Sequence, residues 1–215
     1  MTRRGTIHHR RAAVSPDTAD LGASTRRYRD PRFDEIAVKV FPGEHHVTAK
    51  TDEMLVTILG SCVCACIRDP LAAVGGMNHF MLPEAAGSGW DTASASMRYG
   101  NVAMERLIND ILTRGGARER LEIKVFGGGN VMNGTTNIGH RNADFVESYL
   151  LTEDLPIAAA HLRGNLPRRV HYFPATGKVL LLELRPTEQA AVADSEAHYK
   201  SKIQSEPVAG SAELF

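Results

Sequence analysis

Three consecutive apolar segments in the first half of the chain constrain its fold more than any other feature. The segments are MLVTIL (54–59), CVCACIR (62–68) and AVGGMNHFML (73–82). Each has the length and the β-branched or apolar composition of a buried strand. Gly60 and Ser61 interrupt the first junction, and residues 69–72 (DPLA) are typical of a turn because proline fixes φ. The pattern predicts three successive strands, of which the last two form a hairpin.

Two helices are predicted after this hairpin. The first spans residues 94–114, since apolar side chains recur there at i, i+3, i+4, i+7 and i+8, and Gly115 and Gly116 follow it. Its apolar stripe consists of Met104, Leu107, Ile108, Ile111 and Leu112. The second spans residues 138–151, with Ile138, Phe145, Tyr149 and Leu150 on one face.

Further strands are predicted between and after these helices: one within 121–130 that runs into a glycine turn, and others at 157–163, 169–173 and 178–184. Strands therefore outnumber helices, and hairpins dominate the connections. We expect an α+β fold, a layered α/β/β sandwich with mostly antiparallel and mixed sheets and with the helices packed on one face.

Composition changes along the chain predict three regions. Residues 1–34 are polar and rich in arginine, which is typical of a disordered, positively charged extension. Residues 35–186 carry the periodic apolar pattern and form the predicted compact domain. Residues 187–215 are rich in Ala, Ser and Glu, which predicts a polar C-terminal tail.

Overall charge and hydropathy exclude several classes of protein. The formal net charge is zero, so the basic balance of a nucleic-acid-binding protein is missing. No apolar run approaches the roughly 18–20 residues that a membrane-spanning helix needs. The arginine pair near the N-terminus precedes no apolar stretch and does not form an export signal. The prediction is a cytoplasmic protein without membrane insertion.

All three cysteines lie in one short segment, CVCAC, at positions 62, 64 and 66. An odd, clustered set is not a disulfide framework and indicates reduced thiols. Alternate residues of a strand lie about 6.6 Å apart, too far for thiolates that share one zinc ion at about 2.3 Å. No metal site is therefore predicted here, and Cys64 and Cys66 are interpreted as core residues.

Cys62 and His79 become a candidate pair through the geometry of the predicted hairpin. If residues 69–72 form the turn, Arg68 pairs with Ala73 and Cys62 lies directly opposite His79. Opposed Cβ atoms in an antiparallel pair are about 4.5–5.5 Å apart. The spacing leaves two interpretations open, a thiol–imidazole pair and two buried core side chains.

A thiol–imidazole pair has a defined use. A neighbouring imidazolium lowers the pKa of a cysteine, which gives a thiolate that attacks an amide carbonyl. The imidazole then delivers a proton to departing ammonia. Backbone N–H groups of Gly60, Ser61 and Cys62 stand where they can face an oxyanion, and Thr57 can hold the imidazole tautomer.

The same segment resembles the active-site region of the chemoreceptor glutamine deamidases, the CheD family. The matching blocks are GSC (60–62), RDP (68–70), GGMNHFMLP (75–83), RYGN (98–101), KVFGGGN (124–130), IGHRN (138–142) and RRVHYFP (168–174) with Thr176-Gly177. The resemblance covers roughly residues 37–185. It implies a Cys nucleophile, a His base and an assisting Thr, which correspond to Cys62, His79 and Thr57.

The resemblance also implies a substrate and a partner. The expected reaction converts glutamines, and also glutamyl methyl esters, in the cytoplasmic helical region of methyl-accepting chemotaxis receptors to glutamate, with no cofactor. A CheC-type phosphatase is the expected partner. Two alternatives stay open: a non-catalytic regulatory module that acts through such a phosphatase, and acyl transfer to an amine instead of water.

Overall fold

The computed structural model describes residues 26–83, 90–131 and 137–205. Within these ranges the chain forms ten strands and three α-helices. The strands are β1 (Arg27–Asp30), β2 (Glu35–Lys39), β3 (His45–Thr48), β4 (Glu53–Leu59), β5 (Val63–Asp69), β6 (Val74–Asn78), β7 (Glu122–Gly127), β8 (Ile157–Leu162), β9 (Arg168–Phe173) and β10 (Lys178–Glu183). The helices are α1 (Trp90–Thr113), α2 (Ile138–Thr152) and α3 (Pro186–Ser205).

The strands form two five-stranded sheets. The first sheet has the order β1-β2-β4-β9-β10, and the second has the order β3-β6-β5-β7-β8. The pairs β2–β4 and β7–β8 are parallel, and the other pairs are antiparallel. The prediction of mostly antiparallel and mixed sheets is confirmed.

Two apolar cores divide the molecule into layers. One core lies between the second sheet and the helices α1 and α2, where Leu107 and Phe145 meet strand residues such as Val125. The other core lies between the two sheets and includes Leu55 and Phe126. The order is helices, second sheet, first sheet, which confirms the predicted α/β/β sandwich with α1 and α2 on one face.

The predicted helices are confirmed with shifted ends. Four of the five residues in the predicted α1 stripe are buried, and Leu112 is half-buried. In α2 the predicted apolar residues Ile138, Phe145, Tyr149 and Leu150 are all buried. Helix α1 begins at Trp90, ahead of the predicted residue 94.

The predicted register of the β5–β6 hairpin is wrong. Arg68 pairs with Gly75 instead of Ala73, and Asp69 pairs with Val74. The turn lies one residue later than predicted because Ala73 adopts a left-handed φ of 52° and the Asp69 carboxylate accepts from backbone N–H groups inside the turn. Cys62 is therefore not directly opposite His79. Because the slip amounts to two residues, the two side chains still share one face.

A strand and a helix form near the two ends of the described chain, where composition predicted a disordered extension and a polar tail. Strand β1 lies inside the predicted 1–34 extension and pairs with β2, and all but the first residue of α3 lies in the predicted 187–215 tail. One contact that holds β1 in place is an ion pair between Arg27 and the buried carboxylate of Glu53. Residues 1–25 and 206–215 lie outside the described residues.

None of the helices in the described ranges has the length and apolar character needed to cross a bilayer.

Candidate active site

Cys62 occupies the short connection between β4 and β5, at the edge of the core between the sheets. Its side chain is fully buried, and that of His79, just after β6, is nearly so. The Cys62 Sγ, a ring nitrogen of His79 and a carboxylate oxygen of Glu196 lie within 4.8 Å of one another. The structure thus brings together the two predicted residues and adds a third from α3.

Thr57 fixes the orientation and the tautomer of His79. The Thr57 hydroxyl donates to the carbonyl oxygen of Val40 at 2.8 Å and lies 2.7 Å from His79 Nδ1. Because that hydroxyl proton is committed to Val40, its oxygen accepts, and Nδ1 carries the hydrogen. Within the described residues, the buried Nε2 has no hydrogen-bond partner. Nε2 is therefore the basic nitrogen of the imidazole.

A glycine turn after β7 supports the loop that carries Cys62. Gly128 N–H donates to the Cys62 carbonyl at 2.7 Å, and Gly129 N–H donates to the Gly60 carbonyl at 2.7 Å. A Cβ on Gly127, where φ is 112°, would lie 2.2 Å from the Cys62 carbonyl oxygen. Only glycine permits this approach, so the GGG segment acts as a structural support for the loop.

Asn142 of α2 holds the same loop from the other side. Its Nδ2 donates to the Ser61 carbonyl at 2.8 Å, and its Oδ1 accepts from Leu82 N–H at 2.9 Å. The side chain is fully buried. Asn142 therefore links the Cys62 loop to the chain just after His79.

Replacing Asn142 with leucine should destabilise the protein by about 2–6 kcal/mol. The shape is nearly preserved, but two buried backbone groups lose their partners, each at about 1–3 kcal/mol. Urea unfolding monitored by circular dichroism measures the change. A loss below about 1 kcal/mol would contradict this supporting role, and Asn101→Leu, on the partly exposed surface of α1, is the comparison variant.

Three backbone N–H groups converge beside the Cys62 thiol. Gly60 and Cys62 donate to Glu196 Oε1 at 2.9 and 3.0 Å, and Ser61 donates to Oε2 at 2.7 Å. The Ser61 hydroxyl donates to Oε2 as well, at 2.7 Å. A Cβ on Gly60 would lie 2.7 Å from Oε2, so glycine is needed for the close approach of the carboxylate. These N–H groups therefore bind an anion, the Glu196 carboxylate, and their role toward a reaction oxyanion stays a prediction.

The protonation states differ from the predicted thiolate–imidazolium pair. Burial raises the pKa of the Cys62 thiol well above its ordinary value, and the neighbouring Glu196 carboxylate raises it further. Burial lowers the pKa of His79 to about 4, against the opposing influence of Glu196. At neutral pH the observed arrangement therefore holds a neutral thiol beside a neutral imidazole, and the expectation of a resting thiolate is wrong for this state.

Comparison with known proteins identifies the family. A relative from Rhodopseudomonas palustris (strain BisA53), named "Probable chemoreceptor glutamine deamidase CheD", is 78% identical over 207 residues, which is 96% of this chain and 97% of the relative. The chain belongs to the CheD family. The CheD family model, described as "CheD chemotactic sensory transduction", matches residues 81–183.

More distant CheD relatives also align along most of the chain. The relative from Janthinobacterium sp. (strain Marseille) is 50% identical over 89% of this chain and 95% of its own length. The relative from Thiobacillus denitrificans is 48% identical over 89% of this chain and 96% of its own length. Both carry the same name as the Rhodopseudomonas protein. A solved structure, Bacillus licheniformis hypothetical protein YfiH, aligns with a TM-score of only 0.31 and 11% identity over 56% of this chain and 49% of its own.

Cys64 and Cys66 lie in the core between the sheets of this CheD protein. Both are free thiols with no exposed surface. Burial and the neighbouring Cys64 raise the pKa of Cys66. The interpretation of Cys64 and Cys66 as core residues is confirmed. Cys62 belongs to the same core and differs from them in lying beside His79 and Glu196.

Cys62, His79 and Glu196 also have the residue types of a metal site. Both oxygens of Glu196, however, already accept two hydrogen bonds each from residues 60–62. A carboxylate has about four lone-pair positions, and these four bonds use them. The geometry therefore favours an anion held by backbone N–H groups over a metal ligand.

Sequence analysis missed Glu196, because α3 lies in the segment read as a polar tail. The sequence of α3 nevertheless contains a helical pattern that indicates a buried face. The buried residues of α3 are Glu188, Val192, Glu196 and Tyr199. Their spacing of four, four and three residues marks one face of a helix. The stripe was overlooked because two of its four members are acidic.

Proposed function

We propose that this CheD protein deamidates glutamine side chains in the cytoplasmic helical region of methyl-accepting chemotaxis receptors. The observation that carries the proposal is the arrangement of Thr57, His79 and Cys62 beside three converging N–H groups. The names of its relatives supply the substrate. Since that substrate is cytoplasmic, we place the enzyme in the cytoplasm.

Cys62 is the proposed nucleophile and His79 the proposed base. The Cys62 thiol passes its proton to His79 Nε2 as Sγ adds to the glutamine Cδ. The oxyanion that forms is stabilised by the N–H groups of residues 60–62, a contribution of about 2.7–4 kcal/mol per donor in comparable enzymes. The imidazolium returns the proton to the nitrogen as the C–N bond breaks and ammonia leaves. Water, deprotonated by His79, then hydrolyses the thioester to glutamate.

Thr57 is the proposed positioning residue for His79. Its oxygen holds Nδ1–H, which keeps the Nε2 lone pair available for the thiol proton. The same acyl chemistry accommodates glutamyl methyl esters, because methanol replaces ammonia as the leaving group. No step of this mechanism calls for a cofactor. A CheC-type phosphatase stays a prediction of the family resemblance.

Mass spectrometry of a receptor cytoplasmic fragment tests the proposal. We expect the wild-type chain to convert specific glutamines to glutamate with release of ammonia, and the Cys62→Ala chain to convert none. Cys64→Ala, which removes an equally buried thiol from the adjoining strand β5, should retain activity. Equal conversion by wild type and Cys62→Ala would contradict the proposal. So would an absence of conversion by a wild-type chain whose Cys62 reacts freely with iodoacetamide.

The same assay separates the two alternatives. A regulatory module that acts only through a CheC-type phosphatase predicts no effect of Cys62→Ala on receptor mass. Acyl transfer predicts that an added primary amine appears as an adduct on the receptor glutamine. Hydrolysis predicts glutamate alone at that position.

A further inference from the structure

Helix α3 covers the candidate active site with a single stripe of side chains. Of the four buried residues in α3, only Val192 and Tyr199 are large apolar side chains. Between them lies Glu196, 2% exposed, whose carboxylate reaches the N–H groups beside Cys62. Helix α3 therefore packs on the core through Tyr199 and Ile203, and Glu196 makes four hydrogen bonds to the catalytic loop.

Resting on the proposed deamidation, we infer that α3 is a built-in inhibitor that binds the active site as a product mimic. Glu196 takes the place of the glutamate side chain that the reaction forms. The body of α3 takes the place of the helix that presents the substrate glutamine. The substrate class that this implies is a glutamine on one face of an α-helix.

The hydrogen bonds of Glu196 match the product better than the substrate. Oε1 accepts from Gly60 and Cys62, and Oε2 accepts from the N–H and the hydroxyl of Ser61. A glutamine carboxamide offers one accepting oxygen, and its NH₂ group would face the Ser61 N–H donor. A carboxylate satisfies all four donors, so a glutamate is held more firmly than a glutamine in the same position.

Two cavities show the groove that α3 occupies. One has a volume of about 90 Å³ and is lined by Thr57, His79, Val192 and Glu196 among others. The other has a volume of about 340 Å³ and is lined by His79, Tyr99 and Tyr199 among others. Both reach His79, and both have residues of α3 in their walls. Because residues of α3 form part of both walls, removal of α3 would open both cavities beside His79, and we call the surface opened in this way the groove.

Outside the catalytic loop, α3 is held by the buried side chains of Val192 and Tyr199 and by hydrogen bonds. The Tyr199 and Tyr99 hydroxyls lie 2.6 Å apart, and Gln189 Nε2 donates to the Val131 carbonyl at 3.1 Å. Hydrogen bonds of this kind exchange readily with water. The contacts suit a segment that leaves when a substrate helix competes for the groove.

Docked α3 also makes Cys62 unreactive. The carboxylate of Glu196 adds to burial in raising the pKa of the Cys62 thiol. It also fills the positions from which an oxyanion would be stabilised. Displacement of Glu196 therefore opens the oxyanion site and favours the thiolate in one step.

Alkylation of Cys62 tests whether α3 blocks the site, independently of any deamidase activity. We compare iodoacetamide labelling of the full-length wild type with Glu196→Ala by peptide mass spectrometry that resolves Cys62 from its neighbours. Labelling should accelerate on the order of tenfold or more, since each unit of pKa changes the thiolate fraction tenfold. Asp194→Ala, an exposed acidic residue of the same helix, should label like wild type.

A second variant separates displacement of α3 from damage to the catalytic loop. Tyr199→Phe removes the hydroxyl contact with Tyr99 and leaves the hydrogen bonds at residues 60–62 in place. It should also accelerate Cys62 labelling, by less than Glu196→Ala. Equal labelling of the wild type, Glu196→Ala and Tyr199→Phe would overturn the inhibitory role.

The product-mimic role is tested by Glu196→Gln, which turns the inhibitor into a substrate. Cys62 Sγ adds to Cδ of the new glutamine, the C–Nε2 bond breaks and ammonia leaves with a proton delivered by His79. Water then cleaves the thioester, restores the thiol and leaves glutamate at position 196. Mass spectrometry of the peptide should show conversion to glutamate in this variant, and none in the Cys62→Ala, Glu196→Gln double variant.

The outcomes distinguish this inference from the proposed function. A glutamine that persists at position 196 in a chain that deamidates receptors would overturn the product-mimic role and leave the proposed function standing. A chain that deamidates neither substrate contradicts the proposed function. In that case the labelling comparison still decides whether α3 blocks Cys62.

Discussion

Replacing His79 with alanine should lower the rate of glutamine conversion by about 10²–10⁴-fold, the usual contribution of a positioned general base. Every proton transfer of the proposed mechanism passes through its Nε2, the nitrogen left available when Thr57 holds Nδ1. The rate is measured as ammonia release from a receptor cytoplasmic fragment. Since chemistry is affected and substrate binding is not, kcat should fall with little change in KM.

His171 provides a matched control for this loss. It is also a buried histidine, 4% exposed, but it lies on β9 against Phe33, with ring centroids 5.4 Å apart. His171→Ala should therefore lower the free energy of unfolding but should not lower the kcat of the folded protein. Similar falls in kcat for His79→Ala and His171→Ala, at matched fractions of folded protein, would contradict the role of His79 as base.

The parts of the site predicted from sequence are those that depend on local chain geometry. The period-two alternation of strands placed Cys62 and His79 on one face, and this survived a register error of two residues. The error itself came from the turn. Pro70 indicated the turn correctly. Nothing in residues 69–72 indicated that Ala73 would take a left-handed φ, which moves the first residue pair of the hairpin to Asp69 and Val74.

The parts that were missed depend on long-range contacts or on protonation. Glu196 reaches a loop 134–136 residues earlier in the chain, and its helix lacks a conventional apolar stripe. No periodicity argument predicts which buried loop accepts an acidic side chain. The neutral state of Cys62 likewise follows from complete burial beside Glu196, which spacing along the sequence does not reveal.

Replacing Thr57 with valine should lower kcat on the order of 10²-fold while the fold is retained. Valine has nearly the same shape, but it offers no oxygen to His79 Nδ1–H and no donor to the Val40 carbonyl. The imidazole can then adopt the other tautomer, in which Nε2 carries the hydrogen and cannot accept the thiol proton. Losses from removed orienting groups range from about 10-fold to 10⁴-fold in comparable sites.

The serine variant decides whether the hydroxyl or the packing of Thr57 matters. Thr57→Ser keeps the oxygen and removes only a methyl group, so it should recover most of the activity lost in Thr57→Val. KM should stay close to the wild-type value in both variants, because Thr57 acts on His79 and not on the substrate. If Thr57→Ser is impaired as severely as Thr57→Val, packing is the dominant role. Rescue by serine, together with an intact fold by circular dichroism, would instead establish Thr57 as the residue that sets the His79 tautomer.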